Sequence, residues 1–444
     1  MIPRIVVAGA ASGAGKTTVA SGLIGALRAG GLTVQGFKVG PDYIDPSYHA
    51  LASGRPGRNL DAFLSGTDLI APLVRHGGTG ADIAVIEGVM GMFDGTSPNS
   101  ELASTAQIAK LLAAPVVLVL DASAMARSAA AVLHGFASFD PEVNVAGVIF
   151  NRIGSDGHAQ LLREAVAPLG IPVLGALRSD ERIAAPERHL GLVPVGERAR
   201  RAAETLAALA EAIAHEVDLA AIERLARSAP AVSGPAWSPT PVERQATARV
   251  AIARGPAFSF HYEENLELLA AAGAELAPFD PMTDAGLPPG SGALILAGGF
   301  PEVFGPALAA NVPLRKQVRE LALAGRPILA ECGGLLYLLE SLDGDAMCDV
   351  LPGRGEMAGR LTIGYREARA ATATPWLAAE TEVRGHEFHH ALVQAAGAPA
   401  WELSAGGITR TEGIVAGSVQ ASFLHVHWAA YPEIAGRFVR TATA

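Results

Sequence analysis

Five short apolar runs, Ile5–Val7, Val34–Val39, Ile83–Ile86, Val116–Leu120 and Val145–Phe150, punctuate the first two hundred residues. Stretches of helical period, rich in Ala and Leu, lie between them. Runs that stay apolar at successive positions suit strands buried on both faces, so the pattern predicts a parallel sheet with crossover helices on both faces. Pro172–Leu177 reads as one more strand, and the segment from Glu197 to about Arg227 as one or two surface helices. Residues 229–248, APAVSGPAWSPTPVERQATA, carry Pro, Ser and Ala with no apolar period and read as a linker. Strand–helix alternation restarts at Arg249–Ala253 and continues at Ala293–Leu296 and Pro327–Ala330. The expected organisation is a two-domain α/β protein: residues 1–228, a linker 229–248, and residues 249–444.

Composition narrows the class. The chain has 444 residues, half of them apolar and 18% charged, which is the make-up of a compact globule with room for two or three cores. A net charge of −10 argues against a nucleic-acid partner, which would need a concentrated basic face. Two cysteines, Cys332 and Cys348, exclude a disulfide scaffold and point to a reduced, cytoplasmic compartment. The opening MIPRIVVAGAASGAGK reads as a strand running into a glycine loop, not as a signal peptide. No stretch approaches the roughly 20 apolar residues that span a bilayer, so no membrane partner is expected.

The first strand ends in Gly9-Ala10-Ala11-Ser12-Gly13-Ala14-Gly15-Lys16-Thr17-Thr18, and a helix follows. Strand, glycine turn, Gly-Lys-Thr and helix together make a phosphate-binding loop. Backbone N–H groups from Gly13 and Gly15 to Thr18 cradle phosphate oxygens, Lys16 neutralises β/γ charge, and the Thr17 hydroxyl can ligate Mg2+. Position 10 is Ala where the strict pattern has Gly, so the loop is one residue longer than usual. A nucleoside triphosphate site is expected. Partitioning ATPases need a second, early lysine, and positions 10 and 11 are both Ala.

Acidic loops follow the next strands. Lys38-Val39-Gly40-Pro41-Asp42-Tyr43-Ile44-Asp45-Pro46-Ser47-Tyr48-His49 packs two carboxylates, a lysine and a histidine where parallel sheets bind ligands, which suggests a metal or an anionic substrate. Glu87, directly after an apolar strand in Glu87-Gly88-Val89-Met90-Gly91-Met92-Phe93-Asp94-Gly95, is placed for a second Mg2+ contact. Asn151, after Val145–Phe150, is either a reader of the adenine edge or a turn former.

Farther on, Ile328–Ala330 runs through Glu331 into Cys332-Gly333-Gly334 and a Leu-rich helix, the thiol form of a nucleophile elbow. Cys348, in a turn-rich stretch, is read as structural. The base is expected from Ser418–Trp428, a β-like run whose His425 and His427 share parity and would face one side. His425 is taken as the base, with His427 in reserve. Gly298-Gly299, after the strand Leu294–Leu296, offers backbone N–H groups for an oxyanion hole. Gly385-His386-Glu387-Phe388-His389-His390 looks extended and is read as structural or substrate-contacting, not as a zinc site.

Taken in order, the long phosphate loop, KVGPDYIDPSYH, EGVMGMFDG, GGFPE, ECGGLLYL, GHEFHH and ASFLHVHW resemble the cobyrinic acid a,c-diamide synthases, including the hydrogenobyrinic acid enzymes. KVGPDYIDP and GHEFHH resemble the a,c-type more than cobyric acid synthase. The resemblance implies a dethiobiotin-synthetase-like domain that uses ATP and Mg2+ to phosphorylate the c and then the a acetate of a corrin ring acid. It implies a class I glutaminase-like α/β domain that releases ammonia from L-glutamine at Cys332 with His425. Asp42, Tyr43, Asp45 and Asp94 then become substrate contacts, Thr17 and Glu87 the Mg2+ contacts, and Asn151 part of the ATP site. Lys38, Arg55 and Arg58 are candidates for the ring's carboxylates, and a homodimer is the base-rate assembly. One departure stands out: class I glutaminases carry a glutamate two residues after the histidine, and here that slot is His427.

Overall fold

The computed structural model describes residues 2–179, 187–188, 191–192, 199–239 and 247–443. The chain divides into two compact units, Met1–Ser238 and Pro239–Ala444.

The first unit is built on a seven-stranded parallel sheet of β1 (Arg4–Gly9), β2 (Val34–Val39), β3 (Arg58–Leu60), β4 (Ile83–Glu87), β5 (Val116–Asp121), β6 (Val145–Ile153) and β7 (Val173–Arg178), with helices on both faces. Every residue of β1, β2 and β4 is buried, which is why these strands read as apolar runs without alternation. The spatial order is β3-β2-β4-β1-β5-β6-β7. The chain winds from β1 out to one edge, returns, and builds the other half from β5. The winding therefore reverses beside β1, and the crevice at the carboxyl ends of the strands there is where such sheets hold ligands. Of this sheet's strands, β3 was not among those expected from the sequence. A separate antiparallel pair of two-residue strands, β8 (Glu187–Arg188) and β9 (Gly191–Leu192), follows the sheet. The expected surface helices are Ala199–Glu216 and Leu219–Ser228.

The first half of the proline-rich stretch lies against this unit. Trp237 N donates to Pro72 O at 2.9 Å, and the Trp237 indole meets His76 edge-on at 4.9 Å. Residues 240–246 of the expected linker lie outside the described residues.

The second unit has two sheets. One is the expected α/β sheet, ordered β11-β10-β12-β13-β21-β20, from β10 (Ala248–Ala253), β11 (Ala274–Phe279), β12 (Ala293–Leu296), β13 (Ile328–Glu331), β20 (Ile414–Ala416) and β21 (Val419–Ser422). All pairs are parallel except β20 with β21. The other sheet is centred on a long antiparallel hairpin, β16 (Gly353–Ala370) with β17 (Glu382–Ala395). β14 (Ser341–Leu342) and β15 (Asp345–Ala346) extend it beyond β16, and β22 (His425–Val426) pairs with β17. β18 (Trp401–Ala405) joins β16 and carries β19 (Ile408–Glu412).

Ser418–Trp428 is therefore not one strand. The Glu412 carboxylate accepts Phe423 N at 2.8 Å and the Ser422 hydroxyl at 2.5 Å, and Ser422 Oγ accepts Leu424 N. These bonds end β21 and turn the chain into β22 of the other sheet. No helix among the described residues is long and apolar enough to cross a membrane.

Candidate active sites

In the first unit the glycine loop follows β1 and the helix Lys16–Ala29 starts at the lysine. Gly15 has φ +96°, and a Cβ on it would meet Asn151 Nδ2 at 2.0 Å, so only glycine fits. The Asn151 amide, buried in β6, donates to Ala14 O at 3.0 Å. Asn151 thus braces the loop, and it is not a turn former, because β6 continues through it to Ile153. Arg152 supports the same loop, donating to Gly13 O at 3.0 Å and pairing with Asp121.

The Lys16 ammonium donates to Met90 O at 2.6 Å and to Ala11 O at 3.1 Å, so the loop after β4 folds against the phosphate loop. Burial, then the nearby Lys38, lowers its pKa to about 8. Thr17 Oγ1 donates to Glu87 Oε1 at 2.6 Å and lies 3.3 Å from Asp45 Oδ2. Lys38 sits between the same two carboxylates, 2.6 Å from Asp45 and 2.8 Å from Glu87, and His49 Nε2 is 2.7 Å from the other Glu87 oxygen. Burial disfavours every charge in this cluster, and pairing offsets it unevenly. Lys38 and His49 outweigh burial at Glu87 and hold its carboxyl well below the usual range. Asp45, raised by burial and by Asp42 and Glu87, stays well above it. Lys38 is held above its ordinary value by the carboxylates around it.

The remaining predicted residues of this unit divide. Asp42 Oδ1 accepts Ile44 N and Asp45 N and so caps the helix Ile44–Ser53. Tyr43, half-buried, precedes that helix. Asp94 is exposed, and its Oδ2 accepts Gly91 N. Thr18, half-buried, is the third residue of the helix Lys16–Ala29. Arg55 donates to Gln35 Oε1 and to the carbonyls of Gly77 and Thr79, and Arg58 is buried. Lys38 alone of the three lies in the cluster.

In the second unit Cys332 stands between β13 and the helix Gly333–Leu338 with φ +48°, a strained conformation for a residue with a Cβ. Its N–H donates to Ser422 O at 2.7 Å, and its Sγ is 3.8 Å from Phe388 O. His425, fully buried at the start of β22, hydrogen-bonds the Cys332 thiol. Burial alone would lower the imidazole pKa; Cys332 and Glu331 outweigh it and raise it to about 10. His427 does not share this side: its Nε2 lies 3.4 Å from Glu264 Oε2, and its ring packs on Tyr262 at 4.7 Å. The parity argument fails because β22 ends at Val426. Cys348 is buried with its thiol pushed up to about 12, as an inert residue should be. The amide of Gly299 lies close to the elbow, 3.0 Å from where a Cβ on Gly333 would stand.

Comparison with known proteins agrees with this division. Residues 5–193 match the CobQ/CobB/MinD/ParA nucleotide binding domain, and residues 249–432 the CobB/CobQ-like glutamine amidotransferase domain. A hydrogenobyrinate a,c-diamide synthase of Streptomyces coelicolor is 52% identical over 99% of this chain and 97% of its own. One from Thermobifida fusca is 48% identical over 99% and 96%. A cobyrinate a,c-diamide synthase of Gloeobacter violaceus is 44% identical over 99% and 97%. The chain belongs to the a,c-diamide synthase family. It is an amidating ligase with a nucleotide-binding part and a glutamine amidotransferase part.

For a member of this family the donors around Thr17 suit Mg2+, since all are hard oxygens: one hydroxyl and the carboxylates of Glu87 and Asp45. Among the described residues no three His, Cys, Asp or Glu side chains are grouped to hold a metal by themselves. Mg2+ commonly takes only one or two carboxylates and completes its shell with phosphate and water, so the set still fits.

Sequence reasoning assigned no role to Glu331, whose signal was a charge at the end of a buried apolar strand. Glu387, within the stretch read as structural or substrate-contacting, is a fully buried carboxylate held by Arg366 and Arg410 at 2.5 Å each. Those two arginines line a cavity of about 770 Å³ that Leu335 and Phe423 border on the elbow side.

Proposed function

We propose that this protein converts the a and c acetate side chains of hydrogenobyrinate to amides, using ATP to activate each carboxylate and glutamine as nitrogen source, in cobalamin biosynthesis. The observation that carries this is the presence in one chain of a phosphate loop facing the Thr17–Asp45–Glu87–Lys38 cluster and of a Cys332–His425 pair. The relatives at 48–52% identity bear the hydrogenobyrinate name and those at 40–44% the cobyrinate name, which favours the metal-free ring. We assign residues 1–228 to synthesis and residues 249–444 to ammonia release, with 229–248 between them.

A carboxylate resists amidation because it is anionic and its oxygen leaves poorly. In this proposal a ring carboxylate oxygen attacks the γ-phosphorus of ATP and ADP departs, leaving an acyl phosphate. Lys16 and the loop N–H groups hold the phosphates against the negative charge that moves; Lys38, Asp45, Asp42, Tyr43 and Asp94 lie where the carboxylate would be presented. Mg2+, held by Thr17 and Glu87, would neutralise phosphate charge. In the other unit the Cys332 thiolate adds to the carboxamide of glutamine, and His425 gives its proton to the departing ammonia. Water then cleaves the thioester, with His425 taking the proton, and glutamate leaves. Neutral ammonia attacks the acyl phosphate carbon; phosphate is expelled and the amide remains.

Mass spectrometry of products formed from hydrogenobyrinate and from cobyrinate, with ATP, Mg2+ and glutamine, tests this. The expected product is the doubly amidated metal-free ring with two ADP released. Unchanged ring acid and intact ATP would overturn the assignment.

A further inference from the structure

In class I glutaminases a glutamate two residues beyond the histidine orients the imidazole, and His427 fills that slot here. The structure places His427 against Glu264 and Tyr262. His425 must nevertheless be held in one tautomer and one plane, because only a nitrogen facing sulfur can exchange the thiol proton.

Three contacts fix the ring. Glu331 Oε2 lies 3.3 Å from His425 Nδ1. A Cβ on Gly298 would come within 2.6 Å of His425 Cε1, so the edge between the two nitrogens rests on that glycine's backbone. The thiol of Cys332 is the third partner. With Nδ1 taken by Glu331, the nitrogen left for sulfur is Nε2.

A further titratable group beside the ring is His386 on β17, directly opposite His425 in the antiparallel pair. Burial, then the charge of His425, pushes its pKa down to about 3, so it stays neutral and supplies no counter-charge. The carboxylate on β13 is the one that faces the imidazole.

We propose that Glu331, one residue before the nucleophile, is the positioning residue of the glutaminase: it accepts the Nδ1 proton of His425 and presents Nε2 to Cys332. The proposal rests on Cys332 and His425 being the glutaminase pair. The proton that moves goes from Sγ to Nε2 and on to the leaving ammonia, while Glu331 stays ionised throughout. The missing glutamate is thereby supplied from the strand that carries the cysteine. A single tight turn sets both ends of the relay.

The test uses full-length protein with Glu331→Gln and Glu331→Asp, read by glutamine hydrolysis, ammonia-driven amidation and the pH profile of glutaminase kcat/KM. In serine proteases the amide replacement of the orienting carboxylate costs about 10⁴ in kcat. A thiol is more acidic and Glu331 is partly exposed, so about a 10- to 100-fold loss in kcat is expected, with KM for glutamine little changed. Glu331→Gln should also move the alkaline limb of the profile to lower pH, because the imidazolium loses its counter-ion, and Glu331→Asp should recover part of both. Ammonia-driven amidation should be untouched. An unaltered profile and kcat in Glu331→Gln, or equal loss of both activities, overturns the proposal. A wild-type protein that hydrolyses no glutamine would instead remove the glutaminase assignment itself, and the proposal with it.

Discussion

The Cys332 thiol and the His425 imidazole belong to different sheets: Cys332 follows β13 of the parallel sheet, and His425 opens β22 of the antiparallel one. Their pairing is a tertiary contact, and the proposed function confines glutamine chemistry to the second unit. Cys332→Ser should cut glutamine-driven amidation by roughly three orders of magnitude or more while ammonia-driven amidation continues. Parallel assays with glutamine and with ammonium chloride check this; equal loss in both would contradict the division of labour.

In the proposed reaction Lys16 acts on phosphate and not on nitrogen transfer. Lys16→Ala should lower amidation from either nitrogen source by about 10²–10³ through lost electrostatic stabilisation. Glutamine hydrolysis should remain measurable. Undiminished amidation would remove the phosphate-loop assignment.

Glu87 accepts from Thr17, Lys38 and His49 at once. Glu87→Gln keeps the shape and removes the charge, so the apparent Mg2+ affinity should fall at least roughly tenfold. A magnesium titration of ATP consumption, at saturating ring acid, measures it. An unchanged titration midpoint would show that Glu87 does not serve the metal.

His386 carries a pH dependence of stability with a definite sign. Its imidazole is held neutral in the folded chain, with a pKa of about 3 against 6.5 when unperturbed. Between those values the unfolded chain binds the extra proton, so the stabilising effect of a neutral His386 is complete above the upper value and is lost as pH falls towards the lower. The slope is about 1.4 kcal/mol per pH unit, or about 2 kcal/mol down to a pH of about 5. His386→Asn should flatten that part of the curve, as followed by the urea midpoint of unfolding at several pH values; a curve parallel to wild type would refute the assignment.

The first unit was largely legible because its strands are buried on both faces: Ile5–Val7 and Val116–Leu120 have no polar alternative to their place in the sheet. The elbow was legible for a local reason, since strand, cysteine and two glycines are contiguous. The β16–β17 hairpin was not. Much of β16 is exposed or half-buried, and its Gly, Arg and Thr residues give no two-residue alternation to read. His427 was misplaced because the turn at Phe423 depends on Glu412, a residue on β19. Glu331 was seen but given no role, and the bond from Asn151 to the phosphate loop was not foreseen, since their partners, His425 and Ala14, lie far off in sequence.

The bracing of Ala14 by Asn151 has a consequence for how this sequence can drift. Gly15 leaves no room for a side chain because the Asn151 amide occupies it, and a shorter residue at 151 would leave the buried carbonyl of Ala14 without its donor. Neither position can change first without penalty, so the two should be inherited together. A lineage that loses the asparagine has to rebuild the floor of the loop before the glycine is released.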